Sequence, residues 1–268
     1  MAKTVWLDAG HGGRDSGAVG NGLYEKSITL SLALRVGEIL TKDYEGIKVL
    51  YSRKTDKTMT LKERTDLANK AKPDFFFSIH VNAGGGTGYE DYIFNGKVQA
   101  LTSVYRDKVH KAVKPVLKKY GIRNRGKKKA NFHVLRETNA PAMLVETLFI
   151  DHPTDAKLLK NKQFLEDISQ AYAQGIAKAL GGKKKKKVSP SPAKPSETIY
   201  RVQVGAFKNK SNAEKLAKQV KAKGFDCFIK LVDGLYKVQV GAYRVKKNAE
   251  NQRDRLKKAG FDAWITTK

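Results

Sequence analysis

The segment Thr4-Val5-Trp6-Leu7-Asp8-Ala9-Gly10-His11-Gly12-Gly13 reads as an apolar strand that breaks into a glycine turn, and the rhythm that follows it decides the fold. Further strand-like runs cover 47–52, 75–81, 89–94, 132–135 and 142–149, interspersed with helical stretches at 26–41, 61–72, 98–120 and 163–180. In the first helical stretch Ile28, Leu32, Val36, Ile39 and Leu40 make one apolar stripe and Leu30 with Leu34 a second, so this helix is expected to be covered on two sides. The alternation predicts an α/β domain over residues 1–180, with a mostly parallel central sheet flanked by helices.

Residues 181–198 change character. Gly181-Gly182 leads into Lys183 to Lys187 and a segment holding Pro190, Pro192 and Pro195, which predicts a solvated, semi-extended linker. Beyond it the sequence repeats at an offset of 36: Tyr200-Arg201-Val202-Gln203-Val204-Gly205-Ala206-Phe207 returns as Tyr236-Lys237-Val238-Gln239-Val240-Gly241-Ala242-Tyr243, and Asn212-Ala213-Glu214 as Asn248-Ala249-Glu250. Each copy reads strand, helix, strand. Residues 199–268 are therefore expected to form a small α+β repeat domain of order β-α-β-β-α-β, a four-stranded antiparallel sheet backed by two helices.

Composition narrows the function classes. The 268 residues are 40% apolar, enough for true cores. A single cysteine, Cys227, excludes a disulfide scaffold and a multi-cysteine zinc ribbon. No apolar run reaches the length of a membrane span. The N-terminus meets Asp8 before an apolar core of signal-peptide length can form, so the chain is expected to be made in the cytoplasm without an export signal. Lys and Arg number 53 against 26 Asp and Glu, a net charge of +27. The excess is spread along the chain and implies a polyanionic partner; nucleic acid, anionic membrane and bacterial wall polymers satisfy it equally.

In an open α/β sheet, reactive groups gather at the carboxyl ends of the strands. His11 follows the first strand, His80 ends the strand Phe75-Phe76-Phe77-Ser78-Ile79-His80, and Glu25 precedes the first helix. Two imidazoles and a carboxylate from different elements make a three-ligand zinc set with a fourth position open. Glu146, inside the apolar run Met143-Leu144-Val145-Glu146-Thr147-Leu148-Phe149, is costly to bury unless compensated, and is suited to moving a proton. Each residue alone also has a plainer reading: Glu25 favours a helix N-terminus, His80 can be a hydrogen-bonded strand-end histidine, and Glu146 can pair with an Arg or Lys.

Taken together, Asp8-x-Gly10-His11-Gly12-Gly13, Glu25-Lys26, Ser78-Ile79-His80-x-Asn82-Ala83 and Val145-Glu146-Thr147-x-Phe149 resemble the zinc-dependent N-acetylmuramoyl-L-alanine amidases, the family of cell-wall amidases and phage endolysins. The resemblance implies Zn2+ as cofactor, His11, Glu25 and His80 as its ligands, and Glu146 as the catalytic carboxylate. Asn82, within the third motif, and His133, ahead of the Glu146 strand, are candidates for touching substrate. Asp151-His152-Pro153 departs from the Ser-Asn-Pro of relatives, in a loop outside the ligand set.

The repeat domain is similar to SPOR domains, which bind peptidoglycan glycan strands stripped of stem peptides. Gln203 and Gln239 are the candidates for sugar hydroxyls, and Phe207 and Tyr243 for sugar ring faces. The two resemblances imply cleavage of the amide between N-acetylmuramic acid and the L-Ala of the stem peptide. The expected partner is peptidoglycan, with the polyanions of a Gram-positive wall. Release would come by lysis or a holin, as for a phage endolysin or an enzyme of sporulation mother-cell lysis. A zinc endopeptidase cutting within the stem would use the same metal chemistry. A non-enzymatic glycan- or nucleic-acid-binding protein is the reading from another class. The aromatic strand motif of RNA-recognition modules is absent, so no nucleic-acid partner is expected.

Overall fold

The computed structural model describes residues 2–185 and 198–267, which belong to two compact units, 1–186 and 187–268. In the first unit, β1 (Lys3–Ala9), β2 (Ile47–Tyr51), β3 (Phe75–Asn82), β4 (Tyr89–Phe94), β5 (Asn124–Ala130) and β6 (Ala142–Phe149) form one six-stranded sheet in the order β2-β1-β3-β6-β4-β5. All neighbours are parallel except β4 and β6. The helices are α1 (Glu25–Asp43), α2 (Leu61–Ala71), α3 (Ala100–Lys119), α4 (His133–Arg136), α5 (Pro153–Leu159) and α6 (Lys162–Leu180).

Strand parity divides the core. Val5, Leu7, Phe75, Phe77, Ile79, Met143 and Val145 join the apolar faces of α1, α3 and α6 in the larger cluster. The intervening Trp6, Phe76, Ala142 and Leu144 pack with Ala68 of α2 and with Val134 and Leu135 of α4. Phe75, Phe76 and Phe77 are all fully buried, so β3 is covered on both faces, each ring contributing about 1.5–3 kcal/mol. By the same parity Asp8, His80 and Glu146 leave the sheet on the face that carries α2 and α4. Helix α2 begins with a reciprocal capping box between Thr60 and Glu63, which fixes the turn carrying Arg64.

The structure differs from the sequence reading in three places. The run 132–135, expected as a strand, is the single helical turn α4, closed by Arg136 N donating to Phe132 O and Glu137 N to His133 O. Short apolar runs carry no period that separates strand from helix. Conversely, β5 is a strand whose sequence, Asn124-Arg125-Gly126-Lys127-Lys128-Lys129-Ala130, shows no apolar alternation. It is an edge strand, where lysines are the ordinary protection against further pairing. In addition, Lys183–Lys184 pairs with Tyr44–Glu45 and Lys185 N donates to Asp43 O, so the first lysines of the expected linker are held on the first unit. Residues 186–197 of that linker lie outside the described residues.

The second unit runs β7 (Tyr200–Phe207), α7 (Lys210–Ala222), β8 (Phe228–Val232), β9 (Leu235–Tyr243), α8 (Lys246–Lys258) and β10 (Trp264–Thr266). Its sheet is antiparallel, in the order β8-β9-β7-β10. Val202, Val204, Val238 and Val240 pack with Ala213, Ala217, Val220, Ala249 and Leu256 of the two helices.

Candidate metal centre

His11 leaves the end of β1 with φ of +60°, a left-handed conformation that costs a non-glycine residue energy and must be held by its surroundings. Two buried arginines do this. Arg64 donates to Asp8 Oδ1 (2.8 Å), Ala9 O (2.6 Å) and His11 O. Arg53 donates to Ala9 O (3.1 Å), Gly10 O (2.9 Å), Lys26 O (2.7 Å) and Thr29 Oγ1 (3.2 Å). Sequence reading missed both, because their partners lie far away along the chain.

Glu25, the first residue of α1, is buried between the two histidines. Its Oε1 lies 3.2 Å from His11 Nε2 and 3.0 Å from His80 Nδ1. Val81 N donates to Oε1 and Ala18 N to Oε2. Burial alone would push this carboxyl up, but the hydrogen bonds from His11 and His80 outweigh it and hold it well below the usual carboxylate range. On its far side His11 Nδ1 meets Asp15 Oδ2 at 2.9 Å, which fixes the ring. One ligand atom from each of His11, Glu25 and His80 lies within 4.8 Å of the others. The glycines here are needed for space as well as turning. A Cβ on Gly10 would stand 2.4 Å from His80 Cε1, and one on Gly17 would stand 2.7 Å from both Glu25 Oε2 and the His11 ring.

Glu146 is the direct register partner of His80 on β3 and of Glu90 on β4. Its Oε2 is buried and meets no hydrogen-bond partner, and burial pushes the carboxyl up to about 7. Glu146, His11, His80, Phe132 and His133 line one cleft of about 380 Å³, closed on the α2 side by Met59 and Leu61. His133 Nε2 is likewise buried without a partner. Asn82, by contrast, spends its side chain internally: Nδ2 donates to Glu90 Oε1 at 2.7 Å and Oδ1 accepts from Ala83 N.

In the second unit, Gln203 and Gln239 are cross-strand partners on one face. Phe207 and Tyr243 do not join them; both pack against the apolar core beneath the sheet. The repeated glycine explains this, since each ring folds over the residue two places earlier. A Cβ on Gly205 would lie 2.6 Å from Phe207 Cε2, and one on Gly241 would lie 2.6 Å from the Tyr243 hydroxyl. The aromatics in register with the glutamines are Phe228, paired with Gln239 and 53% exposed, and Trp264, paired with Gln203 and 41% exposed.

An α/β sheet whose strand ends gather two imidazoles and a carboxylate beside a second, unpartnered carboxylate has the donor set of a metallohydrolase. The family model for N-acetylmuramoyl-L-alanine amidase matches residues 5–178, and that for the SPOR domain matches 169–267. The chain belongs to the N-acetylmuramoyl-L-alanine amidase family. It is 47% identical over 229 residues to the sporulation-specific N-acetylmuramoyl-L-alanine amidase of Bacillus subtilis, covering 85% of each chain. Its identity to the endolysin of Bacillus phage SPP1 is 46% over 187 residues, 69% of each chain. The catalytic domain of CwlV, an amidase from Bacillus (Paenibacillus) polymyxa, superposes with a TM-score of 0.62 at 34% identity, over 68% of this chain and 99% of that one. Among the described residues no helix is long and apolar enough to cross a membrane.

Proposed function

We propose that this chain hydrolyses the amide between N-acetylmuramic acid and the L-Ala of the peptidoglycan stem, with zinc held by His11, Glu25 and His80. The observation that carries this reading is the buried, unpartnered oxygen of Glu146 beside those three side chains. Two imidazoles and one carboxylate fit zinc, whose preference is for mixed nitrogen and oxygen donors. Zinc bound there supplies Lewis acidity toward an amide carbonyl and acidifies water. Glu146, with its carboxyl pushed up to about 7, is matched to accept a proton from water near neutral pH and return it to the departing amine. His133 lines the same cleft, and its buried Nε2 has no hydrogen-bond partner, which makes it the candidate to meet substrate there if the ring turns.

The repeat domain serves as the glycan anchor. Phe228 and Trp264 flank the two glutamines in one row; Gln203 and Gln239 are themselves buried, with Gln239 Nε2 donating to Gly241 O, so the exposed aromatic faces are the surface offered to sugar rings. The basic chain is suited to a wall rich in polyanions, and that attraction should weaken with salt. Cell lysis is the setting, either in sporulation or at the end of a phage cycle.

The test is mass spectrometry of purified peptidoglycan after digestion. Intact stem peptides with a free L-Ala amino terminus, lost with a chelator and restored by zinc, are expected. Cuts inside the stem would move the scissile bond and make the chain an endopeptidase.

A further inference from the structure

Two unlike surfaces flank Glu146, one lining the cleft and one next to it along the sheet. On the α2 and α4 side Met59, Leu61, Phe132 and Val134 present an apolar wall. On the other side of Glu146 stands Glu90, almost wholly buried, followed by the basic edge strand β5. The Glu90 carboxylate is saturated: Oε1 accepts from Asn82 Nδ2 and Tyr92 OH, each at 2.7 Å, and Oε2 from Arg125 Nε at 2.5 Å and from Lys128 Nζ.

One carboxylate thus holds two cations, and the group carries a surplus positive charge beside the reacting centre. Both cations remain partly open, with 26% of the Arg125 side chain and 35% of the Lys128 side chain exposed. Neither is a free surface side chain. The Arg125 guanidinium lies 5.0 Å from the Phe149 ring centroid, and the Lys128 ammonium 5.8 Å from that of Tyr92. Their orientation is set before a ligand arrives, so little entropy remains to be lost on binding.

A substrate spanning Glu146 must divide between these sides. The N-acetylated sugar bearing the acyl group is uncharged, whereas a wall peptide carries carboxylates. We propose that Arg125 and Lys128 form a carboxylate subsite for the first acidic residue on the peptide side of the scissile amide. The uncharged sugar half then lies toward the apolar wall. This rests on the amidase reading above and adds a preference to it: stems whose acidic residue is a free acid are cleaved better than stems in which it is an amide.

The probes are two synthetic disaccharide peptides that differ only in carrying isoglutamate or isoglutamine after L-Ala. The wild-type chain should cleave the acid with kcat/KM about tenfold higher, the difference residing in KM, as for one charge-assisted hydrogen-bond pair. Arg125→Gln and Lys128→Gln should each narrow that ratio several-fold, through a rise in KM for the acid larger than any change on the amide. Each leaves Glu90 one cation, and folding is checked by thermal melting. Glu90→Gln should keep or widen the acid preference, because it releases both cations. A wild-type ratio of one, or a ratio unchanged in both glutamine variants of the cations, would overturn the subsite and leave the amidase reading standing. A wild-type chain that frees no L-Ala amino terminus from either probe removes the amidase reading and the subsite together.

Discussion

Arg64→Lys tests whether the turn bearing His11 is held by geometry or by charge. Arg64 is 2% exposed, and its two terminal nitrogens bridge Asp8 Oδ1, Ala9 O and His11 O. A lysine keeps the charge but has one nitrogen where the fork has two, so at least one charge-assisted bond to a buried acceptor is lost. That loss costs about 1.5–3 kcal/mol. In a domain of this size it lowers the melting temperature by roughly 3–12 °C. With φ at +60° no longer enforced, His11 should also relax away from Glu25, and metal affinity should fall about ten- to a hundredfold. Melting in chelator measures the first effect and competition against a chromophoric chelator the second. The sign with pH is fixed as well. Burial pushes the Asp8 carboxyl up, but Arg64 outweighs it and holds the carboxyl below its ordinary range. The stability from this pair is therefore present above the ordinary Asp pKa and lost as pH falls, so the gap between wild type and variant should close in acid. An Arg64→Lys protein that melts within about 1 °C of wild type and binds metal equally well would refute the reasoning.

Glu146→Gln should lower turnover by about 10²–10⁴-fold, the usual worth of a positioned proton carrier, without lowering the melting temperature, since the buried oxygen it replaces has no partner. Gly10→Ala should weaken metal binding at least about tenfold, read by chelator competition, because its Cβ would meet the His80 ring at 2.4 Å and one of the ligands must shift. Glu90 supplies a second pH dependence: burial raises its carboxyl, but Lys128, Arg125 and Tyr92 hold it at about 2. This lowered value means stability present above the ordinary Glu range and lost as pH falls toward 2. The shift is worth at most about 3 kcal/mol, trimmed to about 1–2 by solvent around Arg125 and Lys128; unfolding free energies of wild type and Glu90→Gln from denaturant titration should differ by that much at pH 7 and converge in acid.

The residues of the candidate site that the structure brings together were legible because they stand where an α/β sheet puts chemistry: His11 and His80 at strand ends, Glu25 at the start of a helix, and Glu146 as an acid in an apolar run. Their supports were not legible. Asp8 and Arg64 are 56 residues apart, and nothing local marks either as half of a buried pair. Glu90 had a faint signal, an acid pair inside the strand Tyr89-Glu90-Asp91-Tyr92, but its cations lie on β5, whose polar sequence hid the strand. In the repeat domain the 36-residue offset showed the pseudo-symmetry, while the orientation of Phe207 and Tyr243 did not follow from alternation. The register between β7 and β9 shifts on either side of Gln203, and the glycine two residues before each ring draws it beneath the sheet.

Net charge was the loudest feature of the sequence and the least informative, and the structure shows why. Among the described residues the buried arginines and lysines are Arg53 and Arg64; a basic side chain on the surface is screened by solvent within about 8 Å at physiological salt. Arg53, Arg64, Arg125 and Lys128 differ in kind. Arg53 and Arg64 are buried against backbone carbonyls, and Arg125 and Lys128 are pinned to a buried carboxylate, so their geometry is fixed where that of a surface lysine is free. The first pair holds the turn that carries His11, and the second is pinned to Glu90, the register partner of Glu146. Under the proposed function the long-range field would draw the chain to an anionic wall, and these four side chains would shape what can happen once it is there.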